Sequence, residues 1–243
     1  MKKEIEAIVL AGGLGKRMNE LTHEKPKSLL EVDGKPILSH IFDNIIKAFG
    51  SAHVIVALGY RGEDIREFYG VSYGSINISY VHDPRSLETR KRLLLAKDNI
   101  SSSFLFLVGD VVCHPEQLMK VAELQEKEQK FVFGTISGAT LHLPALTHAV
   151  ITAEDRRAVE MVFPPPSEWN PQQLREMHVA YYRQDFIGLL ESAPPDLPFI
   201  SQIISAALKE GKNFQADTYC RQWYHFTNPN DLKTELKFDK HQI

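Results

Sequence analysis

Leu10–Leu30 reads LAGGLGKRMNELTHEKPKSLL, with glycines at the end of an apolar run and then a tail rich in lysine and arginine. Two well-defined phosphate loops can be tested against its spacing. In the dinucleotide fingerprint G-x-G-x-x-G, a start at Gly13 and Gly15 requires a glycine at position 18, where Met18 stands. In the loop G-x-x-x-x-G-K-[ST], the pair Gly15-Lys16 requires a glycine at 10 and a hydroxyl at 17, where the chain has Leu10 and Arg17. Neither pattern holds. What survives is the physics: a strand ending in small residues lets backbone N–H groups approach an anion, and Lys16, Arg17, Lys25 and Lys27 lie close by to neutralise it. The stretch suits a polyphosphate.

Working outward, Ala7–Ala11 is a short apolar run that opens onto those glycines, and 53–59 (HVIVALG) repeats the form after an amphipathic segment at 37–49. Strands are expected again at 76–81 and 104–108, with helical material at 65–68 and 87–96 between them. This β-α-β alternation predicts a Rossmann-like α/β/α fold. Its central sheet is expected to be mostly parallel and mixed, with a ligand crevice at the carboxyl ends of the strands. Residues 12–17 and the pair Gly109-Asp110 both follow strands, so both fall on that edge. After a helix at 117–129 the texture becomes more β-rich and looped. Strands are expected at 131–137, 149–152 and 159–163, helices at 186–190 and 200–208, and a last helix opening at Asn228-Pro229-Asn230-Asp231. No linker divides the chain, so 1–243 is expected to form one domain, with a nucleotide-side half to about residue 120 and an acceptor-side half beyond it.

Composition narrows the partners. The 243 residues are 43% hydrophobic and 24% charged with a net charge of −3, which provides no basic field for nucleic acid. Cys113 and Cys220 form no C-x-x-C pair and no disulfide framework, and Cys113 reads as a buried small hydrophobe. The opening MKKEIEAIVLAGG lacks the apolar core of a secretion signal, and no apolar run approaches the roughly 20 residues of a membrane span. A soluble cytoplasmic protein is expected, with no membrane partner.

The stretches LAGGLGKRM, KPKSLLEVDGKPILSHIFDNI and FLVGD together closely resemble the sugar-1-phosphate nucleotidylyltransferases, over residues 5 to about 120. That family carries a G-G-x-G-x-R loop, a Pro-Lys further on and a Gly-Asp at a strand end. The resemblance implies transfer of a nucleoside monophosphate from a nucleoside triphosphate to a sugar 1-phosphate or similar phosphorylated acceptor, with release of pyrophosphate. It implies Arg17 and Lys27 as catalytic cations, Gly12, Gly13 and Gly15 holding the backbone against the nucleotide, and Leu10 and Ala11 walling the base. Thr89 matches a helix start that approaches the base, and Asp110 matches the first of two Mg²⁺ carboxylates. Lys16 and Lys25 read as solvated charge, and the cluster Arg85, Arg90, Lys91 and Arg92 could reach a triphosphate but reads first as a charged helix face.

The second half departs from that pattern. His225, in Trp223-Tyr224-His225, stands where the family has its second metal carboxylate, and imidazole is a poor Mg²⁺ ligand. Pro164-Pro165-Pro166 replaces a Glu-Lys-Pro motif that contacts sugar and phosphate, His148-Ala149 replaces a Tyr-Gly pair, and Met177-His178-Val179 fills a segment that carries glycine. Two readings follow: a nucleotidyltransferase with an unusual acceptor, or a weak or inactive regulatory or scaffolding subunit. The overall spacing is nearest to the mannose- or heptose-type guanylyltransferases, yet base, acceptor and any homo-oligomer stay open. A dinucleotide-dependent dehydrogenase is disfavoured by Met18 and by the absence of an acidic residue at 57–59.

Overall fold

The computed structural model describes residues 4–83, 88–128, 131–137, 150–154, 156–163, 168, 174–217 and 222–238. Along the chain these form β1 (Ile5–Ala11), β2 (Glu31–Val32), β3 (Lys35–Pro36), α1 (Ile37–Phe49), β4 (Ala52–Leu58), α2 (Gly62–Tyr69), β5 (Ser72–Tyr73), β6 (Ile76–His82), α3 (Thr89–Leu95), β7 (Phe104–Val108), β8 (Val111–Cys113) and α4 (Pro115–Glu128). There follow β9 (Phe131–Ser137), β10 (Val150–Glu154), β11 (Arg157–Val162), β12 (Leu174–Tyr182), α5 (Phe186–Ser192), α6 (Ile200–Lys209), β13 (Phe214–Asp217) and β14 (Trp223–His225).

β1 and β4 are apolar on both faces because helices cover both sides of the sheet, the condition under which parallel strands lose their alternation. Ten strands form one sheet in the order β10-β11-β13-β9-β12-β7-β1-β4-β6-β5. The pairs β1–β4, β1–β7 and β4–β6 are parallel, as expected. Among the described strands of the second half only β9–β13 is parallel, and β12 runs antiparallel between β7 and β9, stitching the two halves into one sheet. Val9, Leu105 and Leu107 pack in one core with Ile41 and Phe42 of α1 and Leu118 of α4. On the opposite face Leu10, Phe104 and Phe106 pack with Leu93 of α3, Phe186 of α5 and Ile204 of α6.

The expected helix at 37–49 is α1, whose buried Ile37, Leu38, Ile41, Phe42 and Ile45 recur at helical spacing. Gly50, at φ 84°, stops it. Cys113 is buried as expected. Arg85, His148, Ala149, Pro164–Pro166 and Cys220, all singled out in the sequence, lie outside the described residues. Among the described residues no helix is long and apolar enough to cross a membrane.

Candidate active site

Parallel register sets the site. Leu10 lies opposite Ala57 on one side and Val108 on the other, so the loops after β1, β4 and β7 leave the sheet together. The backbones there are pressed close. A Cβ on Gly12 would sit 2.6 Å from Gly59 N and 2.5 Å from Arg92 Nη1, and one on Gly109 would sit 2.9 Å from Leu10 O. Gly13 differs, because open space surrounds it. Gly15 turns at φ 63°, and its carbonyl accepts from Met18 N at 2.7 Å and from Thr22 Oγ1 at 3.2 Å. The three loop glycines thus have different uses: Gly12 for close packing of strand ends, Gly15 for the turn, and Gly13 for the cleft it lines with Leu10, Ala11 and Lys27.

That cleft, about 150 Å³, is also lined by Ser28, Thr89, Arg92, Gly109 and Asp110. Pro26 is extended and the chain turns tightly at Lys27–Leu29, which directs Lys27 inward to an ion pair between its Nζ and Asp110 Oδ2. The buried Ser28 hydroxyl has no protein partner among the described residues. Arg17 is exposed and lines neither this cleft nor the one described next.

Asp110 occupies the turn between β7 and β8, and its position is shared with a second cleft of about 420 Å³ on the α6 side. β14 pairs with β8 in a register that sets His225 opposite Val111, and Phe226 N donates to Asp110 O at 3.0 Å. His225 Nε2 therefore stands 3.4 Å from Asp110 Oδ2. His178 reaches the same point from a bulge in β12, where the register against β9 shifts between Glu176 and Ala180. Its φ of 59° is left-handed, a conformation that glycine adopts freely and that costs other residues roughly 1–3 kcal/mol. Glu176 holds that strained residue twice, accepting from His178 N at 2.8 Å and pairing with Nδ1 at 2.8 Å. Trp223 Nε1 donates to Met177 O at 3.1 Å and ties β14 to the bulge.

The charges separate. Burial opposes ionisation of Asp110, yet the Lys27 ammonium and His225 together hold its carboxyl well below the usual range. Burial pushes His225 down against the pull of Asp110. His178 is raised, because Glu176 first and Asp110 second outweigh its burial. Two imidazoles with ring centroids 5.7 Å apart are thus driven in opposite directions.

Several sequence expectations need revising. Arg92 is 5% exposed and lines the Lys27 cleft, so it is not part of a solvated helix face. Burial lowers its pKa, with Asp83 and Asp110 opposing. A signal existed in the spacing: Arg92 lies three residues after Thr89 and so shares its helix face. Arg90 is also structural, donating at 2.7 Å to the carbonyls of Pro194 and Ala193, while Lys91 pairs with Glu88 at the surface. Thr89 does line both clefts, but its Oγ1 accepts from Ile200 N at 3.2 Å and joins α3 to α6. Glu176 was missed, because its partner becomes visible only once β12 bulges.

A sequence profile described as nucleotidyl transferase matches residues 6–241, nearly the whole chain. The chain belongs to the nucleotidyl transferase family. The UTP–glucose-1-phosphate uridylyltransferase of Haloferax volcanii is 39% identical over 106 residues, 44% of this chain and 43% of that protein. The CMP-5'-(3-aminopropyl)phosphonate synthase of Streptomyces rubellomurinus is 28% identical, over 94% of this chain and 38% of that one. The chain thus spans less than half the length of these two relatives. The chain also shares its fold with a UDP-glucose pyrophosphorylase solved with UDP-glucose, at TM-score 0.78, 17% identity and coverage of 94% and 96% of the two chains. An inositol-1-phosphate CTP transferase from T. maritima matches at TM-score 0.77 and 20% identity, covering 95% of this chain and 92% of that one.

Whether Mg²⁺ suits this site follows from the donors present. Asp110 supplies one hard carboxylate, and His225 beside it supplies a nitrogen, a poor ligand for Mg²⁺. Among the described residues no three His, Cys, Asp or Glu side chains could enclose an ion. One carboxylate nonetheless fits Mg²⁺, which is commonly bound by one or two carboxylates with substrate phosphates and water.

Proposed function

We propose that this chain transfers a nucleoside monophosphate from a nucleoside triphosphate to a sugar 1-phosphate or another phosphorylated acceptor and releases pyrophosphate. The observation that carries the reading is the Lys27–Asp110 pair at the point shared by the two clefts. The smaller cleft takes the donor's phosphates beside Gly13, with the Ser28 hydroxyl and Lys27 as donors and Arg92 as a buried cation behind the loop. The exposed Arg17 closes on the outer phosphates.

An oxygen of the acceptor's phosphate attacks the α-phosphorus, the bond from that phosphorus to the bridging oxygen breaks, and pyrophosphate leaves with the electron pair. The attacking group is already an anion, so no base is needed, and catalysis reduces to positioning and neutralising two polyanions. Asp110 would hold Mg²⁺ together with phosphate oxygens, and the ion would supply charge neutralisation at the leaving group. Lys27 does the corresponding work from the protein. We place this chemistry in the cytoplasm, in nucleotide-sugar or related biosynthesis.

The test is pyrophosphate release across all nucleoside triphosphates with a panel of phosphorylated acceptors and Mg²⁺ or Mn²⁺. Release with at least one pair is expected. No release with any pair, alongside measurable triphosphate binding, would sink the reading in favour of a regulatory subunit. No observation among the described residues favours that second reading.

A further inference from the structure

Resting on the transfer reading above, we infer that the acceptor is a phosphomonoester or phosphonate with an aliphatic or aromatic body, in place of a polyhydroxylated sugar. The larger cleft has a polar end and an apolar remainder. Asp110, Glu176, His178 and His225 gather at the end nearest Lys27, where an anionic head group would lie. Away from them the cleft is walled by Phe106 and Val108 of β7, Ile200 and Ile204 of α6, and Phe163 and Phe199.

Among the described lining residues only Thr89, Ser201 and Gln202 are neutral and polar, and two of them already accept a backbone N–H. Thr89 Oγ1 accepts from Ile200 N at 3.2 Å, and Gln202 Oε1 accepts from Phe199 N at 3.4 Å. Ser201 is the remaining hydroxyl among the described lining residues. A hexose 1-phosphate would bring several hydroxyls into this space, and each one buried without a partner costs about tenfold or more in affinity. An apolar body loses nothing of that kind and gains by covering carbon surface.

The mouth supports the same conclusion. Phe163 and Phe199 both line this cleft and are 44% and 49% exposed, leaving apolar surface that a bound body could cover. A bound body lying between them would remove both rings from water. The covalent step is unchanged: the head-group oxygen bonds to the α-phosphorus, pyrophosphate departs with the electron pair, and the product carries a P–O–P link to the apolar body.

The experiment compares kcat/KM for butyl phosphate, phenyl phosphate and propylphosphonate with that for glucose, mannose and inositol 1-phosphates, using every nucleoside triphosphate and Mg²⁺. The best apolar acceptor is expected to exceed the best polyol by about 10- to 200-fold, the range over which a hydrophobic pocket discriminates. Phe199→Ser, at a half-exposed position, is expected to lower kcat/KM for the apolar acceptor several-fold while leaving the KM of the triphosphate unchanged. Equal or better turnover of a sugar 1-phosphate overturns the inference and leaves the transfer reading standing. Transfer to no acceptor at all overturns both, and an unchanged Phe199→Ser variant overturns the placement of the body in this cleft.

Discussion

The stretch Leu10–Leu30 and the segments Glu176–His178 and Trp223–His225 meet at one carboxylate, Asp110, but they arrive by different means. The first runs from a largely buried parallel strand into a loop whose glycines are set by backbone crowding and by a left-handed turn. The others come from a bulge in β12 and from the three-residue β14, which pairs with β8, and side chains tie them to the site: Glu176 to His178, Trp223 to the Met177 carbonyl, and His225 to Asp110. A side constrained by main-chain packing tolerates little change, and it is the side where the chain keeps the family pattern. A side whose site residues are tied in by side-chain contacts can exchange them one at a time, and there His225 stands where the family pattern has a carboxylate and Met177-His178-Val179 where it carries glycine.

The comparison breaks most sharply at the shared residue. Asp110→Asn is expected to lower kcat by about 10²–10³-fold, the scale of losing one electrostatic partner of the transition state, with either side's substrate in excess. Steady-state kinetics check it, and a loss below tenfold would mean that neither side depends on Asp110. Next in size are the glycines. Gly12→Ala forces a Cβ against Gly59 and Arg92, and overpacking of this kind costs about 1–3 kcal/mol. Gly13→Ala meets open space, so its Tm should stay within about a degree of wild type, surface changes being worth about 0.5 kcal/mol or less, while triphosphate affinity falls. Thermal melts with triphosphate titrations separate the two, and equal Tm values would contradict the division of labour in the loop.

The smallest expected effect is a pH dependence on the acceptor side. The folded pKa of His178 is raised, so its contact with Glu176 stabilises fully below the unfolded value of about 6.5 and is lost as pH rises through the folded one. His225 carries the opposite sign: its folded pKa is depressed, so it destabilises as pH falls below about 6.5. In the metal-free protein, His178→Asn, which keeps a residue tolerant of left-handed backbone, should therefore lower Tm more at pH 6 than at pH 8.5. A difference that is constant with pH would remove His178 from the charged cluster.

The same contrast explains what could be read in advance. The parallel half was legible because IEAIVLA and AHVIVAL each carry a run of five apolar residues, 7–11 and 54–58, and the loops after them carry turn residues. β12 was not, because LREMHVAYY interrupts its pattern with Arg175, Glu176 and His178 where the strand bulges. β14 spans three residues and exists only through its pairing with β8. Lys27 and Asp110, singled out by their motifs, are brought together by the fold, whereas the place of Arg92 in the same cleft stayed hidden among neighbouring charges until α3 packed against the loop. Arg17 shows the converse, a motif residue that the fold leaves at the surface.

The most direct test is a crystal structure with a non-hydrolysable nucleoside triphosphate and Mg²⁺. The α-phosphate should lie between Gly13 and Lys27, with the ion on Asp110 and no bond to His225. A triphosphate bound away from the Leu10–Leu30 loop, or an ion ligated by His225 Nε2, would contradict the account.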